Sequence, residues 1–81
     1  MPRYFFHVHD GSSSLDNEGT KLRDIYAAQE EAIRLSGELL RDLGGKFWDG
    51  AVWILEVTDE TGHILFTLRF SAAEAPNIDT S

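Results

Sequence analysis

The stretch that decides the fold runs from Asp24 to Gly45 and reads DIYAAQEEAIRLSGELLRDLGG. Its apolar residues recur at positions 25, 28, 32, 35, 39 and 43, which is the spacing of one helix face. Asp24 stands where an N-cap carboxylate accepts hydrogen bonds from the first turn, and the two closing glycines suit a helix C-terminus. We therefore predict an amphipathic helix over residues 25–43, with Ile33, Ser36 and Leu40 widening its apolar stripe.

Three segments around this helix are dense in aromatic and β-branched residues, as strands are. We predict strands at residues 3–9, 51–58 and 63–70. The last two are joined by a hairpin loop at Asp59–Gly62, whose glycine supplies the positive φ that the turn requires. A flexible serine loop at residues 12–14 and a short edge strand at residues 20–22 are expected before the helix.

These elements predict an α+β domain over residues 1–71. Its antiparallel sheet has three to four strands in the order β-(β)-α-β-β, and the amphipathic helix packs on one face. After Ser71 the sequence turns polar and offers nothing to pack. We expect residues 72–81 to form a disordered tail.

Alternation along the strands separates two sheet faces. One face collects the uninterrupted apolar residues and is predicted to lie under the helix. The predicted pairs across the hairpin are Val57 with Ile64, Leu55 with Phe66 and Trp53 with Leu68. The predicted core is Tyr4, Phe6, Val8, Trp53, Leu55, Val57, Ile64, Phe66, Leu68 and Phe70.

The opposite face of the sheet mixes apolar and polar side chains. A small monomer does not usually leave so much apolar area open. Three interpretations of this face are open. The aliphatic parts of its polar side chains or the N-terminal loop cover it, a second copy or another protein binds it, or it holds a small molecule or metal. The candidate interaction residues are Phe5, His7, His9, Ile54, Glu56, Leu65, Thr67 and Arg69.

A pair of histidines is the strongest candidate in the chain for a metal-binding or catalytic site. His7 and His9 point to the same face of their strand, a spacing that metal sites use, and Asp10, Glu56 or His63 could add a third ligand. The favoured interpretation is that both are ordinary surface histidines. We predict no metal site and no catalytic residue, and retain His7, His9 and Asp10 as the candidate ligands. The nearby serine hydroxyls lie in a flexible run without a strained nucleophile turn.

Composition excludes several classes of partner. The net charge is −7, from 14 acidic and 7 basic residues, and the bases are scattered along the chain. Such a field repels phosphate groups, so we expect neither a nucleic-acid nor a membrane partner. The chain has no cysteine, hence no disulfide or thiolate site. No apolar run approaches the roughly 18 residues of a membrane span. A soluble cytoplasmic protein without a cofactor is expected.

The opening Arg3–Gly11, the turn Asp16–Gly19 and the alanine-spaced helix after Asp24 resemble a family of small bacterial proteins of unknown function. The resemblance covers residues 3 to about 70. It implies the same domain limits and a bacterial cytoplasmic setting, and it implies no activity, ligand or catalytic residue. At the level of fold alone, a hairpin with one helix is also similar to antitoxin domains that neutralise a basic RNA-cleaving toxin, although fold does not transfer function.

Three hypotheses of function follow. The leading one is a non-enzymatic protein-interaction module that binds itself or another protein, as a homodimer through the second sheet face or a strand edge. The second is a metal or small-ligand site at His7 and His9. The third is an antitoxin-like partner of a basic protein, which the acidic charge would suit.

Overall fold

One helix lies on one face of a five-stranded antiparallel sheet, which confirms the predicted α+β class. The computed structural model describes residues 1–49, 52–73 and 75. The strands are β1 (Arg3–His9), β2 (Ser13–Ser14), β3 (Thr20–Lys21), β4 (Val52–Thr58) and β5 (Ile64–Ser71); the helix α1 spans Ile25–Leu43, and a 3-10 helix spans Gly44–Asp49. The predicted tail, residues 72–81, lies outside the described residues except for positions 72, 73 and 75.

The sheet is built around β1 and β4. Its order is β2-β1-β4-β5, and β3 pairs with the same edge of β1 as β2 does. The edge strand predicted at residues 20–22 is confirmed as β3. The prediction of a flexible loop at residues 12–14 is wrong for two of them, because Ser14 pairs with Val8 and Ser13 with His9.

The helix begins and ends as its capping residues predict. The Asp24 carboxylate accepts from the Ala27 amide at 2.9 Å, and the Gly44 amide donates to the Leu40 carbonyl at the other end. Gly44 has φ 54°, which a residue with a side chain adopts only at a cost. Within the described residues, no helix combines the length and the apolarity that crossing a membrane requires.

Small residues bring the helix close to the sheet. Ala28, Ala32 and Ser36 are at most 2 % exposed, and they face the apolar side chains of β1 and β4. The prediction that Ile33 belongs to the buried stripe is wrong, since its side chain is 60 % exposed. These three small residues, each about one helical turn from the next, form a narrow line of contact with the sheet. The sheet therefore does not cover the flank of the helix that carries Ile33.

The predicted register of the hairpin is wrong by two residues. The structure pairs Val57 with Phe66, Leu55 with Leu68 and Trp53 with Phe70. A bulge accounts for one residue of this shift, because Thr58 pairs with Ile64 and Leu65 has no residue opposite it. The loop accounts for the other, because Asp59 pairs with His63 across it. The loop is closed by Asp59, whose amide donates to the His63 carbonyl and whose carboxylate accepts from the Thr61 and His63 amides.

The core keeps most of its predicted members because an offset of two preserves the sheet face. The buried aromatic and aliphatic side chains are Tyr4, Phe6, Trp53, Leu55 and Val57. Val8, Phe66, Leu68 and Phe70 pack against them while half-buried. Ile64 is the exception: the bulge sets it beside Thr58, outside the core, and it is 60 % exposed.

Candidate interaction surface

The second face brings the predicted interaction residues into cross-strand rows. His7 lies opposite Glu56, which lies opposite Thr67 in β5. The next row joins His9, Ile54 and Arg69, and Phe5 lies opposite Thr58 at the far end. Leu65 occupies the bulge of β5 and is 38 % exposed. The alternation of the sequence therefore predicts the shared face of these residues, whereas their neighbours across β4 and β5 differ from the predicted hairpin register.

The segment between β2 and β3 covers the part of this face that belongs to β1. The Asp16 amide donates to Nδ1 of His7 at 3.0 Å. Gly19 lies so close that a Cβ atom there would come within 2.8 Å of the Arg3 side chain and 2.9 Å of the Phe5 ring. Gly19 also has φ 74°, so the position requires glycine for two reasons. Phe5 and His7 are consequently half-buried and are not free to meet a partner.

Asp16 closes the gap that β2 and β3 leave along the edge of β1. Its carboxylate accepts from the Phe6 amide at 3.2 Å and from the Glu18 and Gly19 amides at 3.0 Å each. Burial raises the pKa of Asp16, but the hydrogen bonds from the Gly19, Phe6 and Glu18 amides outweigh it, so the net pKa is lowered. One side chain thus satisfies an amide that would otherwise stand open on the edge of a strand.

Both ring nitrogens of His7 form hydrogen bonds within the domain. Nδ1 accepts the Asp16 amide, so it carries a lone pair, and Nε2 then carries the proton that it donates to the Thr58 hydroxyl at 3.1 Å. The ring also stacks on Phe5 with an interplanar angle of 6°. A metal ion could bind His7 only by displacing one of these two hydrogen bonds.

His9 makes separate contacts. Its Nδ1 lies 2.9 Å from the Ser13 hydroxyl, and its Nε2 lies 3.7 Å from a Glu56 carboxylate oxygen. Asp10 instead accepts from the Ser12 amide in the following turn. In the described ranges, no three or more His, Cys, Asp or Glu side chains are grouped so that they could hold a metal ion. The contacts of His7 and His9 are those of structural hydrogen-bonding residues.

The exposed remainder of the second face belongs to β5. Its eight residues, ILFTLRFS, pair with β4 on one side only, and no other described strand pairs with it. Because the Phe6 amide points away from β4 to Asp16, alternation across the pairs turns the backbone groups of Phe66, Leu68 and Phe70 toward β4. The amides and carbonyls of Thr67 and Arg69 therefore point outward from the edge.

This edge has few of the features that keep edge strands from pairing. Proteins protect such strands with proline, with several charged side chains, or with bulges. Between Ile64 and Ser71 there is no proline, and Arg69 is the single charged residue. The bulge at Leu65 disrupts the start of β5 and leaves residues 66–71 regular. Thr67 and Arg69 therefore lie in a regularly paired stretch whose outward backbone groups meet no described strand.

One flank of α1 is apolar and lies toward the β5 edge of the sheet. This exposed surface was not predicted from the sequence. Tyr26 is 71 % and Ile33 60 % exposed. Leu40 lines a shallow cleft with Arg69, Phe70 and Ser71, so its flank faces β5. At 100° per residue, Ile33 lies about 20° and Tyr26 about 40° around the helix from Leu40. The sequence signal was present, because Tyr26 and Ile33 are seven residues apart, two helical turns, on the border of the stripe.

The opposite flank of α1 is charged. Arg34 forms ion pairs with Glu31 and Glu38 on that side of the helix. Leu39 and Asp42 line a cleft with Val8 and Ser14, which shows that this flank faces β1 and β2. The ion-paired side chains Glu31, Arg34 and Glu38 thus lie away from the open edge, while Tyr26 and Ile33 lie toward it.

Comparison with known proteins identifies the family and no activity. Searches of curated proteins and of solved structures gave no match. A family model described as a domain of unknown function, DUF6894, matches residues 3–71. That span contains every strand and the helix, from the first residue of β1 to the last residue of β5. The chain therefore belongs to the DUF6894 family of domains of unknown function.

Proposed function

We propose that this domain is a non-enzymatic protein-interaction module that receives a polypeptide strand at the open edge of β5. The observation that carries the proposal is the outward row of backbone groups at Thr67 and Arg69, which no described strand pairs with, on a strand without proline or carboxylates. Strand addition at such an edge derives its affinity from main-chain hydrogen bonds and its specificity from alternate side chains.

The second sheet face supports this role less well than the edge does. The segment around Asp16 and Gly19 already occupies the surface above Phe5 and His7. Glu56 and His9 are half-buried and near one another, so neither side chain is freely presented to a partner. What remains of the face, at Leu65, Thr67 and Arg69, is the border of the same open edge.

The other hypotheses remain predictions without a specific observation in their favour. A ligand site at His7 and His9 would compete with the hydrogen bonds to Asp16 and Thr58. An antitoxin-like role would need a basic partner, which the net charge of −7 would attract. The bacterial and cytoplasmic setting is likewise a prediction from the resemblance.

A strand peptide tests the proposal directly. The probe is a synthetic copy of residues 63–71, with a scrambled peptide of the same composition as its control. We expect it to slow hydrogen exchange of the Thr67 and Arg69 amides, by about tenfold when free peptide stands at ten times its Kd. The scrambled peptide should leave both amides unchanged.

A proline at the edge provides the matched variant. Thr67→Pro removes an outward amide without removing a bond to β4, whereas Thr67→Val keeps that amide. We expect the proline variant to lose peptide protection at Arg69 and the valine variant to retain it. Exchange at Arg69 that ignores the peptide in the unmodified protein would contradict strand addition at this edge.

A further inference from the structure

We propose that the strand received at the β5 edge comes from a second copy of this chain, with a twofold axis passing through Leu68. The inference rests on the proposed function and names its partner. Two β5 strands paired antiparallel form an isologous contact, in which one surface meets itself, and such a contact closes after two copies. The resulting dimer has one continuous sheet.

The register follows from the bulge and from the single charge of β5. A centre at Arg69 would set two guanidinium groups directly opposite each other, which destabilises a pair of strands. A centre at Thr67 would draw Ile64 and Leu65 into the ladder, where the bulge interrupts regular pairing. A centre at Leu68 uses regular backbone, sets Arg69 opposite Thr67 of the other copy, and sets Phe66 opposite Phe70.

The helix flanks complete the contact. An axis perpendicular to the sheet keeps both helices on the same face, the face that carries Phe66, Leu68 and Phe70. Those three side chains are only half-buried by the helix of their own copy. In each copy, Tyr26 and Ile33 lie on the flank of α1 that faces the other copy. Association would therefore bury apolar side chains that a single copy leaves exposed to water.

The charge distribution allows two acidic chains to meet here. Each copy carries −7, so approach is favourable only where carboxylates are absent. No residue from Ile64 to Ser71 is acidic. The helix carboxylates of Glu31 and Glu38 lie on the opposite flank, where Arg34 pairs with both.

Cross-linking measures the register, because the natural chain has no cysteine. The three variants are Leu68→Cys, Thr67→Cys and Arg69→Cys, each oxidised mildly and followed as covalent dimer over time. At the axis, residue 68 forms a non-hydrogen-bonded pair with its own copy, at the short Cα separation of about 4.5 Å that suits a disulfide. We expect Leu68→Cys to cross-link at least tenfold faster than the other two. Faster reaction at Thr67→Cys would overturn the register.

Sedimentation equilibrium measures the partner on the unmodified chain and on two matched variants. We expect a species of twice the 9.1 kDa chain mass in the micromolar range. Ile33→Glu should weaken the dimer at least tenfold. Leu15→Glu, which adds the same charge at a side chain 62 % exposed on the other side of the sheet, should change it less than twofold.

These measurements distinguish failure of the proposed dimer from failure of the β5 edge as an interaction site. A chain that stays at 9.1 kDa up to millimolar concentration excludes the second copy, while binding of the strand peptide would still support the edge as an interaction site. A dimer that Thr67→Pro leaves intact would contradict both the twofold contact and the use of the edge. Equal effects of Ile33→Glu and Leu15→Glu would remove the helix flank from the contact.

Discussion

The two outer edges of the sheet are treated in opposite ways. Along β1 the chain adds two short strands and inserts the Asp16 carboxylate between them, so that the Phe6 amide has an acceptor. Along β5 the described chain adds nothing, and the backbone of Thr67 and Arg69 faces outward. Because the described residues close one edge and leave the other open, we propose that the binding surface lies at the β5 edge.

Removing the carboxylate of Asp16 should produce the largest loss. Asp16→Ala leaves three backbone amides without their acceptor, at Phe6, Glu18 and Gly19. We expect the free energy of unfolding to fall by about 2–3 kcal/mol, a large share of what so small a domain has. Urea unfolding followed by tryptophan fluorescence measures it.

Asp10→Ala is the matched control for that variant. Asp10 is exposed and accepts one long hydrogen bond, 3.4 Å from the Ser12 amide. Its removal should cost less than about 0.5 kcal/mol. Equal stability of the two alanine variants would show that Asp16 does not close the edge of β1.

Two glycine substitutions separate close packing from backbone conformation. Gly19 and Gly62 both have positive φ, 74° and 89°, so alanine is strained at either. At Gly62 the new methyl group meets nothing within 4 Å, whereas at Gly19 it meets Arg3 and Phe5. We expect Gly19→Ala to cost at least about 1 kcal/mol more than Gly62→Ala. Equal losses in thermal unfolding would show that the covering segment is not packed on Phe5.

Acid should weaken the closed edge through Asp16. The pKa of this carboxyl is lowered in the folded protein, because the amide hydrogen bonds outweigh burial. Its contribution is therefore fully present above the ordinary value of 3.8 and is lost as the pH falls through the folded value. The stability difference between the natural chain and Asp16→Asn should be constant near neutral pH and shrink below about pH 4. A difference that persists unchanged at pH 3 would contradict the role of the charged form.

The smallest effect on folding is expected at the open edge. Thr67→Pro should change the free energy of unfolding of the single domain by less than about 1 kcal/mol, because no ladder hydrogen bond is removed. Thr67→Val gives the reference for loss of the hydroxyl group. A large loss of stability in Thr67→Pro alone would mean that the Thr67 amide bonds within the domain, and the edge would then not be open.

The sequence predicts the parts of this fold that depend on periodicity. The spacing of Ala28, Ala32 and Leu39 indicates the helix, and two-residue alternation assigns the sheet faces correctly except at Ile64, which the bulge displaces. The hairpin register was missed because it depends on how Asp59 closes the loop and on the bulge at Leu65. Neither feature leaves a periodic signal.

The candidate surface was only partly predictable for a similar reason. Alternation places His7, Glu56 and Thr67 on one face, and the structure sets them in one row. It does not reveal that Asp16, nine residues from His7 along the chain, folds back over that face. Nor does the helical spacing show which residues at the border of the apolar stripe the sheet covers. Ile33 was therefore predicted to belong to that stripe although it is exposed.

Hydrogen exchange of three amides, followed as protein concentration rises, tests the central claim most directly. The Phe6 amide, bonded to Asp16, should be protected at every concentration. The Thr67 and Arg69 amides should exchange fast in dilute solution and become protected together as a second copy covers the edge. Fast exchange of both at all concentrations, with and without the strand peptide, would contradict the assignment of β5 as the binding surface.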